Sequence, residues 1–258
     1  MPPRFYAPDL DATRGSARLH DDEARHLARV LRLGPGAEVR VFDGRGHEWQ
    51  AEVQAVSARA ADLRLVAPAP AAPEWAVPVT LGLAVLKGDK MDAVVRDAVM
   101  LGAHAIRPFV STRAETSLAM LARAARVERW RRVAVSSAKQ CGRAVVPAVH
   151  EPVSLASLLT EPPEIPVAAR AGGVARFLLV EPSAGAGAGA LAARDLLAVP
   201  PPASVLVLVG PEGGWTAGEV EAATAAGVRL LQVGRTTLRA DAVPLVALTA
   251  VGLGLGQL

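Results

Sequence analysis

The sequence predicts an α/β protein, with a small strand-rich domain followed by a larger domain built on a parallel sheet. Three observations carry this. From Val79 onward, short continuous apolar runs alternate with segments of helical period, the pattern of a parallel sheet covered on both faces. Before that point, period-two alternation dominates. Between the two lies the Ala/Pro-rich stretch Ala67–Pro78, with prolines at 68, 70, 73 and 78, which marks a boundary. The expected division is residues 1–70, a linker over 71–78, and a second domain over 79–258.

In chain order, Asp21–Leu31 has a short helical pattern and Gly34-Pro35-Gly36 a turn. Glu38–Asp43 and Glu48–Val56 alternate as strands around a hairpin at Asp43-Gly44-Arg45-Gly46. Val79–Leu86 is an apolar strand. Asp89 can cap a helix whose apolar positions Met91, Val94, Val95, Ala98 and Leu101 follow the helical period, and Gly102 stops it. Ala105–Val110 is the next strand. A long basic helix covers about 118–138, short elements follow near 145–149 and 154–159, and strands are expected at 176–180, 204–209 and 228–233. A last helix starts at about 243.

The chain of 258 residues is 51% hydrophobic but only 3% aromatic, so its core must be mostly Ala, Val and Leu. The apolar runs at 204–209 and 245–256 are too short or too Gly-rich to span a membrane, and Met1–Tyr6 lacks a signal-peptide apolar region. A soluble cytoplasmic protein is expected. One cysteine excludes an internal disulfide framework and a Cys-rich metal site, and the five histidines stand at no ligand interval. The formal charge of +3 is uneven. Residues 73–150 carry 12 Lys/Arg against 6 Asp/Glu, concentrated around Arg113, Arg123, Arg126, Arg129, Arg131, Arg132, Lys139 and Arg143. Such a field suits a phosphate backbone, and a solvated helix face is the other reading.

The most informative segments are Leu206–Trp215 (LVLVGPEGGW) and Leu230–Asp241 (LLQVGRTTLRAD). Each is an apolar run that breaks at glycine into a loop leading to a helical pattern, which predicts two strands ending side by side at the carboxyl edge of the sheet, where open α/β folds bind ligands. Gly210, Gly213 and Gly214 leave the first loop's backbone open to close approach. Thr216–Glu219 fits a capping box for the next helix.

GPEGG, then a helix, a strand and VGRxxLRxD, resembles the ribosomal small subunit methyltransferase E family of the knotted SPOUT methyltransferases. The resemblance extends through Arg4-Phe5-Tyr6, His26 with Val30-Leu31-Arg32, Phe42-Asp43-Gly44, Lys90-Met91-Asp92, Leu101-Gly102, Ser111 with Arg113, and Gln140-Cys141-Gly142-Arg143 with Val146-Pro147. It implies an N-terminal PUA-like β-barrel RNA-binding domain. It also implies a C-terminal SPOUT methyltransferase domain with a deep trefoil knot, which periodicity cannot reveal. It implies S-adenosyl-L-methionine as cofactor, a homodimer, no metal, and methylation of the ring N-3 of a uridine in 16S ribosomal RNA, as naked RNA or in the small ribosomal subunit. One departure stands out: Leu238-Arg239-Ala240-Asp241-Ala242-Val243 replaces the family's Leu-Arg-Thr-Glu-Thr-Ala, shortening the acid and removing both hydroxyls.

For the cofactor, the expected contacts are Val180, Glu181, Leu208, Val209, Gly210, Pro211, Glu212, Gly213, Gly214, Val233, Gly234, Leu238 and Arg239. A uridine ring nitrogen is protonated at neutral pH, so transfer needs proton removal or anion stabilisation. Arg239 is the first candidate to hold a uracil carbonyl, and Glu212 or Asp241 to accept the proton or orient Arg239; Asp241 as N-cap of the last helix is the competing role. For RNA, the candidates are Arg4, His26, Arg32, Arg113, Arg129, Arg132, Gln140 and Arg143, with His26 also readable as structural and Gln140 and Arg143 as partner-subunit contacts. Cys141 reads as a buried structural cysteine rather than a nucleophile.

Three rivals remain. Gly185–Ala190 satisfies a loose GxGxxG/A pattern, which would suggest a dinucleotide-binding oxidoreductase, although it starts several residues past its strand and late in the domain. A non-catalytic ribosomal RNA-binding protein would keep the basic surface with a degenerate pocket. A ribose methyltransferase would carry an Asn-x-Gly-type motif where Leu86-Lys87-Gly88-Asp89-Lys90 stands.

Overall fold

A computed structural model describes residues 2–57, 59–123, 125–161, 173–182, 189–198 and 201–258. The chain forms two compact units, Met1–Glu74 with Val135–Val146, and Trp75–Ala134 with Pro147–Leu258.

The first unit is built on a five-stranded sheet of Arg4–Tyr6 (β1), Ser16–His20 (β2), Glu38–Phe42 (β3), Glu48–Val56 (β4) and Ala60–Ala69 (β5), in the order β1-β3-β4-β5-β2. β1 runs parallel to β3 and the other pairs are antiparallel. This is the small strand-rich unit expected from the resemblance, its described pairings running as one path from β1 to β2. Inward positions Phe5, Leu19, Val39, Val41, Val53 and Leu63 form its core. The expected helix over Asp21–Leu31 is two pieces: an α-helix Asp21–Arg25 (α1) and a π-helical turn His26–Val30, in which the Leu31 amide reaches the His26 carbonyl at 3.0 Å. The Ala/Pro-rich stretch Ala67–Pro78 overlaps β5 at residues 67–69, ahead of the linker expected over 71–78. β2 pairs β5 only from Ala60 to Arg64, so Pro68 lies where one side of the strand has no neighbour and its missing N–H costs nothing.

Buried charge organises this unit. The Glu48 side chain is 1% exposed and bonds both Arg4 and Arg40. Arg4 also donates to the carbonyls of Ala138, Lys139 and Arg143. Lys139 meets Glu23, and the buried Arg143 meets Glu74. These bonds explain why residues 135–146 pack with the first unit although they lie far along the chain.

The second unit is a parallel sheet of Val79–Ala84 (β6), Ala105–Val110 (β7), Ala148–Val149 (β8), Val153–Ser154 (β9), Val174–Leu179 (β10), Leu191–Ala192 (β11), Ser204–Val209 (β12) and Arg229–Gln232 (β13). The order is β11-β13-β10-β12-β6-β7, with β8 and β9 both paired to β7, and every described pairing is parallel. β6 and β12 are buried at every position, which their continuous apolar sequences require. Gly82 is needed there, since a Cβ would stand 2.5 Å from Leu208 Cδ2.

The helices are Lys90–Met100 (α2), Leu118–Arg123 (α3), Arg126–Cys141 (α4), Leu155–Thr160 (α5), Ala217–Ala225 (α6) and Val243–Gly254 (α7), with a 3-10 turn at Ala193–Ala198. The single basic helix expected over 118–138 is therefore two helices, separated where Ala125 takes a left-handed φ of 46°. Asp89 precedes α2 but makes no side-chain cap bond. α7 packs on β6, β12 and α2. Among the described residues no helix is long and apolar enough to cross a membrane, and no group of three His, Cys, Asp or Glu is placed to hold a metal.

Candidate functional site

The sequence expects the strands at 204–209 and 228–233 to end side by side. The structure corrects this: β10 lies between them, with Leu178 opposite Leu208 and Leu179 opposite Leu231. The chain leaves β12, forms α6 and re-enters the sheet as β13 on the far side of β10. Three carboxyl ends, not two, therefore frame the site.

A cavity of about 280 Å³ opens there, near the lower end of the ~300–1,000 Å³ usual for ligand pockets. Its apolar wall is Leu179, Val180, Val209, Trp215, Val233, Leu238 and Val243, and its polar groups include Lys90, Glu181, Glu212, Thr236, Thr237, Arg239 and Asp241. Gly210, Pro211, Gly214, Pro182 and Ala240 complete the lining.

Trp215 joins the parts. Its indole N–H donates to the Leu179 carbonyl at 2.7 Å, at the end of β10. Its ring stacks on Phe109 of β7, with centroids 5.9 Å apart and planes 7° from parallel. It also occupies the space beside Gly210, where a Cβ would stand 2.9 Å from the ring. Gly214 has a left-handed φ of 68°, which accounts for the second glycine of the pair.

The capping box forms as the sequence predicts. Thr216 Oγ1 accepts from the Glu219 amide, while Glu219 accepts from the Thr216 amide and hydroxyl. Glu219 also accepts from the Thr112 amide at 2.8 Å, tying the start of α6 to the segment after β7. Burial alone would raise this carboxyl, but the two amides and the hydroxyl outweigh it and hold it below the usual range.

Two ion pairs border the cavity. Lys90 Nζ donates to Glu212 Oε1 at 2.8 Å, and the Lys87 amide donates to the same oxygen at 3.2 Å. Burial pushes the Glu212 carboxyl up, yet these donors outweigh it and leave it below its ordinary value. Arg239 donates through Nε and Nη2 to both oxygens of Asp241, each at 3.0 Å, and this pairing holds Asp241 below its ordinary value. Asp241 is not the N-cap of the last helix: Ala242 is, with no side-chain cap bond, because the carboxylate is turned to Arg239.

Of the expected cofactor contacts, Val180, Glu181, Val209, Gly210, Pro211, Glu212, Gly214, Val233, Leu238 and Arg239 line one cavity. Leu208 does not, being fully buried in the core. Gly213 and Gly234 also stand outside it; Gly213 lies against Arg113, whose Nη1 donates to the Gly213 carbonyl at 2.8 Å. Sequence reasoning missed Lys90, Leu179, Pro182, Trp215, Thr236, Thr237, Ala240 and Val243 as wall residues.

The expected RNA contacts separate by burial. Arg4 and Arg143 are buried in ion pairs with Glu48 and Glu74, so their charge is spent inside the first unit. Arg129 is paired with Asp89 and Asp92, and His26 is half-buried with its ring edge toward Phe5. Arg32, Arg113, Arg132 and Gln140 are exposed. Cys141 is half-buried rather than buried, with its thiol 3.8 Å from the Ala138 carbonyl. The Gly185–Ala190 stretch falls mostly outside the described residues.

This combination of units and site defines an RNA methyltransferase. The RNA methyltransferase domain family matches residues 73–252, and the RNA methyltransferase PUA domain family matches residues 19–66. The ribosomal RNA small subunit methyltransferase E of Synechocystis is 31% identical over 94% of this chain and 73% of its own length. That of Mycobacterium bovis is 31% identical over 96% and 90%. A crystal structure of a ribosomal RNA small subunit methyltransferase E from Neisseria gonorrhoeae, bound to S-adenosyl methionine, superposes with a TM-score of 0.83 at 28% identity over 98% of both chains. The chain belongs to the ribosomal RNA small subunit methyltransferase E family.

Glu219 yields a pH prediction. A carboxyl held below its unfolded value of about 4.3 contributes stability above that pH and loses it as pH falls through the folded value. Glu219→Gln should destabilise by about 2 kcal/mol at pH 7, the worth of hydrogen bonds to a charged group. Urea unfolding of the two proteins should converge as pH drops below about 4; a constant gap would remove the carboxylate's charge from the account.

Proposed function

We propose that this protein is an S-adenosyl-L-methionine-dependent methyltransferase acting on ring N-3 of a uridine in 16S ribosomal RNA. The observation that carries the reading is the cavity at the ends of β10, β12 and β13, lined by both glycine loops.

The residues present fit the cofactor. An adenine needs apolar walls for its faces and backbone groups for its edge. Leu179, Val180, Val209, Val233 and Leu238 supply the walls, and the 210–214 and 236–240 loops bring backbone to the rim. Gly210 keeps that rim thin, because a side chain there would collide with Trp215. Bound in this cavity, the cofactor supplies a methyl group activated by a sulfonium.

The chain's own groups handle the acceptor. Arg239 lines the cavity with its planar guanidinium held by both oxygens of Asp241, and we assign it to a uracil carbonyl. The shortened acid at 241 still grips the arginine with both oxygens, so the Ala240-Asp241-Ala242 departure leaves this pair intact. Glu212 is a poor proton acceptor, since its carboxylate already takes the Lys90 ammonium and the Lys87 amide. We assign it to positioning Lys90, and the proton to solvent. The exposed Arg32, Arg113, Arg132 and Gln140 are assigned to RNA.

The strand order, in which the segment after β13 returns past the ends of β10 and β12 before α7 packs on β6 and β12, supports a knotted chain. α7 leaves Val246 and Leu253 exposed at 39% and 54%, which supports a homodimer through this helix. Ribosomal RNA as substrate argues for the cytoplasm.

Incubation with 16S RNA or small subunits lacking the modification, followed by nucleoside mass spectrometry, should yield 3-methyluridine. A ribose-methylated product would contradict the reading, and no product with intact RNA binding would favour a non-catalytic RNA-binding protein. Light scattering should give twice the chain mass of 26.7 kDa; that mass itself in solution would end the dimer assignment.

A further inference from the structure

Neither glycine loop contains Lys90, the first residue of α2, yet its side chain lines the cavity. We infer that Lys90 is a catalytic residue, a second cation that holds the deprotonated acceptor base opposite Arg239. This rests on the uridine N-3 reading above.

The chemistry of the acceptor calls for two cations. When a uracil N-3 proton leaves, the negative charge spreads over the two carbonyl oxygens that flank the nitrogen. A single donor stabilises one of them. The cavity border carries two cations on separate elements, Arg239 on the loop before α7 and Lys90 at the start of α2.

Their environments differ in a way that favours Lys90 as the stronger stabiliser. Each cation has one carboxylate partner, but the Arg239 side chain is 77% exposed and commits Nε and Nη2 to both oxygens of Asp241, so water screens more of its field. The Lys90 side chain is 35% exposed and spends one hydrogen bond on Glu212. An ammonium has three donors, and the same charge acts more strongly where less water surrounds it. Glu212 is itself bonded to the Lys87 amide, so it holds Lys90 in place rather than following it. In the step, the acceptor's N-3 proton passes to water, the electron pair stays on the ring, Lys90 remains an ammonium and Glu212 a carboxylate.

The charged groups around Lys90 are Glu181 after β10, Glu212 on the loop after β12, Asp241 and Arg239 on the loop before α7, and Asp89 and Asp92 on its own segment, the last two bonded to Arg129. Carboxylates and guanidinium groups do not titrate between about pH 6 and 9. The rise of rate with pH in that range therefore reports ionisation of the bound acceptor.

The test compares Lys90→Met and Lys90→Arg with the unaltered protein, measuring single-turnover methylation from pH 6 to 9.5 and calorimetric affinity for S-adenosylhomocysteine. Lys90→Met should lower turnover about 100-fold, the usual cost of one charge-stabilising donor. It should move the pH–rate midpoint up by about one unit and leave S-adenosylhomocysteine affinity within about threefold. Lys90→Arg, which keeps the charge, should recover most of the loss. Full turnover with an unmoved pH profile in Lys90→Met would overturn the assignment. So would a parallel collapse of S-adenosylhomocysteine affinity, which would make Lys90 part of the cofactor seat. If the unaltered protein forms no N-3 product at all, the parent reading fails, and the assignment with it.

Discussion

The site depends on how Trp215 is held. Parallel strands end with their carbonyls unpaired, and loops leaving neighbouring strands have no intrinsic reason to stay together. The indole bond to the Leu179 carbonyl closes the end of β10, the stack on Phe109 reaches β7, and the face against Gly210 fixes the first glycine loop. A single side chain thus gathers three elements around one cavity. Glu219 completes the arrangement from the other side, because its carboxylate both starts α6 and holds the Thr112 amide.

The same logic accounts for the charge pattern. The excess of cations in the middle of the sequence suited either a phosphate backbone or a solvated helix face, and the structure pairs much of it with acids. Arg4 and Arg143 hold residues 135–146 in the first unit, and Arg129 and Arg131 pair with neighbouring acids. Among the expected RNA contacts Arg32, Arg113, Arg132 and Gln140 are exposed, and Arg129, although paired, keeps 54% of its side chain exposed. Charge counting cannot distinguish these cases, because a salt bridge depends on partners that lie tens of residues away.

Much of the sheet was legible in the sequence, since continuous apolar runs flanked by helical period can hardly be anything but buried parallel strands. β6, β7, β12 and the capping box of α6 follow from local pattern. What was not legible is order. Nothing in LVLVGPEGGW or LLQVGRTTLRAD says that a third strand lies between them, yet that insertion brings Leu179, Val180 and Glu181 into the wall. Lys90 and Trp215 were missed for related reasons: one arrives from a distant helix, and the role of the other rests on an indole bond to a strand 36 residues away in sequence. Conversely, Gly213 looks like a cofactor contact by its motif, but its neighbour is Arg113. Short strands such as β1, and β5 with a proline inside it, also escape pattern reading because their pairing is decided by the sheet edge they occupy.

We place the methyl donor in the cavity joined by Trp215. The most direct test is calorimetric titration of the purified protein with S-adenosylhomocysteine, with NAD in parallel. Saturable S-adenosylhomocysteine binding at one site per chain is expected, with no heat from NAD. Binding of NAD alone, or of neither, would contradict it.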